Sequence, residues 1–498
     1  MSLIGIDVGS SSVKSVAYSV EGRALAEASQ TFTPQRPGPG LWELDAEQVW
    51  RATTDTLLRV ARERALRRDP PTTMAISASG REIFPVDKTG RPLGPCIMAG
   101  DIRGAELAAQ TASTASRREW YDACGHIPER MDPVNRWLWW RQHHLETFSR
   151  AAAMVGWHEY LTLRLVGRAV TDRSLASKWC IYQPDGQWSQ SRAAHFDMDT
   201  DKLPEIQAWG TMVGRVKASL ATRLGLPKGI QVAVGAFDAS CAAVGTGALR
   251  DGVTALVCGT WEDLIAPTGK MPELEVLDAG FSVGPHPGNA GLGLFALSPN
   301  GTVVVDWARK LLGLSLRKLK QLLETSGVQP SPVLAVPHFS GATVCWPDGR
   351  SSRGGFLGLT LASSPDDMIK ALLESVAYDL ALMAEAFGDY GIHMDRLRAV
   401  GGGARSAWWT QLKADLIGLP IDVIQLQESG TVGAALLAGL ASGDYASLED
   451  GAELFVRVTR QYEPDQERAA LHQEKLESYR HAVNTILHHQ LSGPTISR

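Results

Sequence analysis

The sequence predicts an α/β protein of two domains, on three observations. The chain has 498 residues, and a single hydrophobic core stops growing near ~250–300 residues. Stretches of alternating apolar and polar residues, which read as strands, are interspersed with segments at helical spacing. The opening "LIGIDVGSSSVKSVAY" (3–18) also has a counterpart in "TALVCGTWEDL" (254–264). Both run apolar strand, glycine, hydroxyl residue, second strand, as a duplicated fold would.

The composition excludes several classes. With 44% hydrophobic and 21% charged residues the chain is ordinary globular protein, and a net charge of −5 gives no reason to expect nucleic acid as a partner. No run approaches the ~20 apolar residues of a membrane span. The N-terminus enters a strand directly, without the basic start and long apolar stretch of a signal peptide, so a cytoplasmic location is expected. Cys96, Cys124, Cys180, Cys241, Cys258 and Cys345 are scattered singly, with no C-x-x-C pair. They read as buried, reduced thiols and not as a zinc or dithiol motif.

The elements follow in order. "VKSVAYSVEGRALAEASQTF" (13–32) keeps period-two patterning around Glu21-Gly22, so a hairpin follows the first turn. A dinucleotide fingerprint or a P-loop needs a helix there, which argues against both. Residues 45–67 have helical spacing, "TTMAIS" (72–77) reads as a strand, and helical and irregular stretches alternate from 90 to 230. "VAVGAFDASCAAVGTGA" (232–248) starts as a strand, meets Asp238 and continues in small residues suited to close helix packing. A second strand pair begins at 252. Ser364, Pro365 and Asp367 open a long amphipathic helix over 364–387 with a capping box and Pro in its first turn. "LRAVGGGARSAWWTQLKADLIGLPIDV" (397–423) is strand, glycine turn, helix, strand. "TVGAALLAGLASG" (431–443) is a helix of small residues, and the tail after about 455 reads as charged and helical.

Four places carry chemistry. Ser10, Ser11 and Ser12 offer hydroxyl and backbone donors and Lys14 a cation, a turn able to hold phosphate oxygens. Asp7 would repel phosphate unless a cation lies between them. Mg²⁺, which keeps waters and binds few carboxylates, suits that position, reached through water. The Gly401-Gly402-Gly403-Ala404 turn joins a strand to a helix and lets a flat ring or phosphate approach the backbone. Asp238, at a strand end among small residues, can accept a proton from a substrate hydroxyl, or can cap the following helix. Arg81, Glu82, Asp101 and Arg103 at strand and turn ends can hydrogen-bond a polyhydroxy ligand, or can form surface ion pairs.

In this order, with "PGPGLWELDAEQVW" (37–50), "GGFLGLTLASSPDDMIKALLESVAYDL" (354–380) and "ESGTVGAALLAG" (428–439), these motifs resemble the FGGY family of carbohydrate kinases from Leu3 to about Ala441. The resemblance implies two ribonuclease-H-like domains of the actin and hexokinase type flanking a deep cleft. An N-terminal domain (1–247) would bind sugar and a C-terminal domain (248–498) would bind ATP. It implies that Asp238 is the catalytic base and that Arg81, Glu82 and Asp101 contact the sugar together with Asp238. Ser10, Ser11, Ser12, Lys14, Gly259 and Thr260 would contact phosphates, and Gly301, Gly402, Gly403 and Ala404 would bound the nucleoside. Asp7 would stand on the magnesium side. ATP, Mg²⁺ and a small sugar or polyol are then the expected ligands, and the resemblance leaves room for a homodimer.

Departures from the family pattern bear on the substrate. Ala239 stands where Asn or Gln often touches the sugar, and Trp261-Glu262 where small residues are commoner. Ser79-Gly80-Arg81-Glu82 replaces the Met-His segment of xylulokinases and looks more like glycerol kinase, although the aromatic expected near Pro128 is Glu129. A ketopentose such as xylulose is the leading substrate. Glycerol, erythritol and autoinducer-2-type sugars are the alternatives, and a sugar sensor or a chaperone-like ATPase the remote ones.

Overall fold

The computed structural model describes residues 1–289, 291–342, 346, 352–425 and 428–492, with no side chains described from 487 onward; Cys345 lies outside the described residues. The chain divides into two compact units. The first comprises Met1–Leu249, Val283–Gly291 and Glu428–Val456, the second Arg250–Ser282, Leu292–Gln427 and Arg457–Arg498. The expected boundary at 247/248 falls beside the first seam, while two later segments pack back onto the first unit.

In the first unit the strand Ser2–Val8 lies between antiparallel Ser12–Ser19, itself paired with antiparallel Ala24–Thr31, and parallel Pro71–Ala78. Gln231–Ala233 continues in parallel and Met212–Arg215 closes the row antiparallel. The turn at Glu21-Gly22 forms as expected, with Gly22 at φ +81. The second unit repeats the order and sense. Gly252–Cys258 has antiparallel Glu262–Thr268 and then Leu292–Ser298 on one side; parallel Met394–Val400 and Ile421–Ile424 and antiparallel Val458–Tyr462 lie on the other. One difference marks the repeat: the closing strand precedes its neighbour in sequence in the first unit and follows it in the second.

Two segments differ from their sequence reading. Residues 45–67 are two helices, Ala46–Ala61 and Arg64–Arg68. The first ends where the N–H of Arg62 bonds back to Arg59 and Val60, and Glu63 turns extended. The tail begins with the strand Val458–Tyr462, whose edge position calls for little apolar patterning, before the helix Gln466–Ser492.

The small-residue helix Ser429–Ser442 packs within the first unit at backbone distance. A Cβ at Gly5 would stand 1.8 Å from the carbonyl oxygen of Thr431, and one at Gly433 1.9 Å from that of Cys241. One at Gly245 would stand 2.1 Å from that of Ser429. Glycines here let the helix lie against the strand Ser2–Val8 and the helix Asp238–Thr246 closer than any side chain would allow. The helix Pro365–Asp389 has its capping box at Ser364 and Asp367, as its sequence predicts, and is buried along most of its length.

Candidate active site

Parallel pairing sets the site in the first unit. Asp7 is in register with Ser77, and Ser77 with Ala236, so three parallel strands end side by side. Their carboxyl ends deliver Asp7, the Ser79–Glu82 loop and Asp238 to one edge of the sheet, where open α/β sheets bind ligands. Asp238 is the first residue of the helix Asp238–Thr246 and its Oδ1 accepts from the N–H of Ala239 at 2.7 Å. The alternative role, capping that helix, is thus partly realised, and the second oxygen is left for other work.

The electrostatics favour a proton on this edge. Burial pushes the Asp238 carboxyl up to about 7; the charges of Asp7 and Glu82 add to the rise, and the Ala239 N–H and Lys178 oppose it. Asp7 is raised to about 6 by burial and by Glu428, against a 2.6 Å hydrogen bond from Ser77 and the charge of Lys14. Two neighbouring carboxylates that each resist ionisation make a site built for a cation or a proton.

Lys178 is the member that sequence reasoning missed. It is buried, its Nζ lies 5.0 Å from the centroid of the Phe237 ring, and burial, with the charge of Arg81, lowers it to about 7. Only the fold brings this lysine, from the short 3-10 turn Ser177–Trp179, beside Asp238; nothing in "SKWC" signals it. Asp172 and Ser174 were missed as well. Asp172 accepts from the N–H and Oγ of Ser174, and Ser174 Oγ accepts from the N–H of Phe237 at 2.9 Å, which fixes the residue before Asp238.

The expected sugar residues occupy different states. Glu82 is buried, takes the Ser79 hydroxyl on Oε2 and accepts from the Ala99 N–H at 3.3 Å on Oε1. Arg81 keeps 18% of its side chain exposed and pairs with buried Asp132. Asp101 is fully buried and both its oxygens are taken, by the N–H of Trp42 and by the backbone N–H, Nε and Nη2 of Arg103. Asp101 therefore shapes this loop through Arg103 and Trp42.

In the serine turn, the N–H of Gly9 donates to the carbonyl of Ser12 at 3.0 Å. Ser10 and Ser11 are exposed, and Lys14, opposite Asp7 in the hairpin, pairs with Glu428 at 2.7 Å.

The second unit holds the remaining expected residues. Gly259 and Thr260 form the tip of the hairpin, and the N–H groups of Thr302 and Val303, opening the helix Thr302–Leu311, donate to the carbonyls of Gly259 and Thr260. Gly301 is needed by packing: a Cβ there would meet the Thr260 carbonyl oxygen at 2.7 Å. Gly401, at φ +95, turns the chain against Cys258, and Gly403 packs on the same residue. Gly402 faces open space, and Ala404 is buried. Of the two unusual residues, Glu262 is buried in an ion pair with Lys413 at 2.8 Å, whereas Trp261 is 45% exposed.

No described helix is long and apolar enough to cross a membrane. The family description "FGGY family of carbohydrate kinases, N-terminal domain" matches residues 2–245, and the corresponding C-terminal domain matches residues 254–442. Among curated relatives, "Xylulose kinase" of Escherichia coli (strain K12) is 27% identical over 97% of this chain and 99% of its own length. "Gluconokinase" of Bacillus subtilis (strain 168) is 25% identical over 90% and 89%. A crystal structure of a "xyloylose kinase" from Brucella ovis superposes with a TM-score of 0.87 at 24% identity, covering 98% of this chain and 99% of that one. Two matched domains that together span most of the sequence, and a duplicated mixed sheet, place this chain in the FGGY family of carbohydrate kinases.

Proposed function

We propose that this carbohydrate kinase transfers the γ-phosphate of ATP to a hydroxyl of a ketopentose, xylulose being the leading substrate, with Asp238 as the general base. One observation carries the assignment of the base. Asp238 is raised to about 7 at the carboxyl end of a strand whose neighbours deliver Asp7 and the Arg81-Glu82 loop. A base so tuned is half ionised near neutral pH and can take the hydroxyl proton as the oxygen attacks phosphorus. Xylulose is favoured because curated relatives matching nearly the whole chain carry that name.

In this reading Arg81 and Glu82 contact the sugar and Asp101 holds their loop in shape. Ser10, Ser11, Ser12 and Lys14 contact phosphates, as do Gly259 and Thr260. Gly402, with open space before it, admits the nucleoside, while Gly301, Gly403 and Ala404 shape the turns around it. Sugar recognition thus belongs to 1–247, and nucleotide recognition to 248–498 together with the phosphate-facing turn at 10–14. Phosphoryl transfer asks mainly for positioning and charge neutralisation, which this set supplies.

The residues present also fit Mg²⁺. The charge of Asp7 disfavours the ionised form of Asp238, a divalent ion would relieve that, and one oxygen of Asp7 is fixed by Ser77. Gly430 leaves the space: a Cβ there would come 2.7 Å from Asp7 Oδ1. When bound through Asp7, the ion neutralises phosphate charge.

An ADP-release assay over D- and L-xylulose, gluconate, glycerol and erythritol tests the reading. Xylulose should give the highest kcat/KM, and Asp238→Asn should lower it by about 10²–10⁴-fold while leaving ATP affinity within about twofold. Turnover retained in Asp238→Asn removes Asp238 from its role, and a preference for another sugar removes xylulose.

A further inference from the structure

Away from Asp238, the first unit gathers a second cluster. Cys124, His126 and Cys180 are buried, with their ligand atoms all within 4.8 Å of one another. Asp132 joins them: its Oδ2 lies 3.2 Å from His126 Nε2 and 3.5 Å from Cys180 Sγ, and Cys180 Sγ lies 3.6 Å from His126 Nε2. We propose that Cys124, His126 and Cys180 hold a zinc-class divalent cation as its three protein ligands, with Asp132 beside the site.

The spacing of the three ligand atoms is compatible with three corners of a tetrahedron. With Zn–S near ~2.3 Å and Zn–N or Zn–O near ~2.0–2.1 Å, neighbouring ligand atoms stand roughly 3.3–3.8 Å apart. The His126–Cys180 edge, at 3.6 Å, lies in that range, and the Cys124 sulfur is within 4.8 Å of both. The ring is also oriented as metal-bound histidines are. His126 Nδ1 lies 3.0 Å from the carbonyl oxygen of Cys124; an Nδ1–H donated there leaves the Nε2 lone pair aimed at the carboxylate and the thiol.

The backbone is committed to this arrangement. Cys124 ends the helix Arg117–Cys124, and Gly125 turns left-handed (φ +75) to set His126 beside it. A Cβ at Gly125 would stand 2.0 Å from the carbonyl oxygen of Val283, so the turn is held from outside. Cys180 is one of two non-glycine described residues with positive φ, at +60. That conformation is strained for a residue with a Cβ, and it accompanies delivery of the Cys180 sulfur into the cluster.

The charges close as well. A dication with two thiolates and a neutral imidazole carries no net charge, and Asp132 beside it is already paired with Arg81. Cation binding would release the two thiol protons to solvent. The sequence hides the set because its members are spread from 124 to 180 without a C-x-x-C signature.

The test uses the full chain and is independent of kinase activity. Protein expressed with added zinc should carry about one zinc per chain by elemental analysis. Chelator-treated wild type given Co²⁺ should show intense visible d–d bands and a near-ultraviolet thiolate charge-transfer band. Cys180→Ser and His126→Asn should lose both signals, and Cys241→Ser should keep them. The wild-type cobalt spectrum decides even if the variants fold poorly. Absence of bound zinc together with a cobalt spectrum lacking tetrahedral bands overturns the site. So does mass spectrometry showing Cys124 and Cys180 joined in a disulfide in freshly purified protein.

Discussion

Asp238 sits among charges of both signs, and its titration should be visible in two independent measurements. Its carboxyl is raised to about 7 mainly by burial, with Asp7 adding to the rise and Lys178 opposing it. A general base works ionised, so kcat/KM for the sugar should fall on the acid side with a limb near pH 6–7, where Asp7 and Asp238 titrate as a pair. Removing the opposing cation in Lys178→Met should move that limb to higher pH. A limb that stays in place, or moves down, means that Lys178 does not act on the base. The second measurement is stability. The folded state keeps the proton on Asp238 above the pH at which the unfolded chain releases it, so ionisation destabilises the fold as pH rises from about 4 to about 7. Asp238→Asn carries no such penalty. Its melting temperature should exceed that of wild type at pH 8, and the gap should shrink toward pH 4. With Lys14 among the proposed phosphate contacts, Lys14→Ala should weaken ATP affinity by more than sugar affinity in titration calorimetry; the reverse ranking would displace the first hairpin from the nucleotide.

Elements with a strong local signature were legible, and those defined by tertiary context were not. The hairpin around Gly22, the capped helix from Pro365 and the strand–turn–helix around Gly401 could be read from period, cap and glycine because local chemistry decides them. Asp7, near the end of its strand, and Asp238 and the Arg81-Glu82 loop, each after one, were legible because they come in a recognisable order. Lys178, Asp172 and the Cys124–His126–Asp132–Cys180 group were not, since each lies in or at the end of a short element or turn and gains its neighbours only on folding. The helix Ser429–Ser442 falls between: its small residues announce close packing, while its partner is found only in the structure. That packing has a sharp consequence. A methyl group at Gly433 would stand 1.9 Å from the Cys241 carbonyl oxygen. The backbones cannot both stay, so Gly433→Ala should cost about 2–3 kcal/mol or more in urea unfolding. Gly443→Ala supplies the control, since a methyl there meets nothing within 4 Å and its cost comes only from φ +77. A loss at Gly433 no larger than that at Gly443 would mean that small backbone shifts relieve the close approach.

At the scale of the molecule, the repeated order of six strands is what the two matching sequence segments anticipated, yet the units do not follow the chain. The first unit is completed by Glu428–Val456, more than 170 residues after the rest of it ends at Leu249, and by the short Val283–Gly291 segment. What the late segment brings is core: Val432, Leu436 and Leu437 are fully buried, and Tyr18 in the second strand bonds its hydroxyl to Thr431 at 2.8 Å. A fragment of residues 1–249 would expose the backbone-packed faces of the strand Ser2–Val8 and the helix Asp238–Thr246 to water. Marginal stability of about 5–15 kcal/mol cannot absorb the loss of several buried apolar side chains at roughly 1.5–3 kcal/mol each. The fragment alone should show no cooperative thermal transition. Joined through a flexible linker to 428–456, it should regain one, with near-ultraviolet circular dichroism marking fixed aromatic packing. A cooperative transition in the fragment alone, close to that of the full chain, would show that the late helix decorates a finished domain. Its absence, restored by the linked segment, would mean that the sheet edge carrying Asp7 and Asp238 exists only when the end of the chain returns to its beginning.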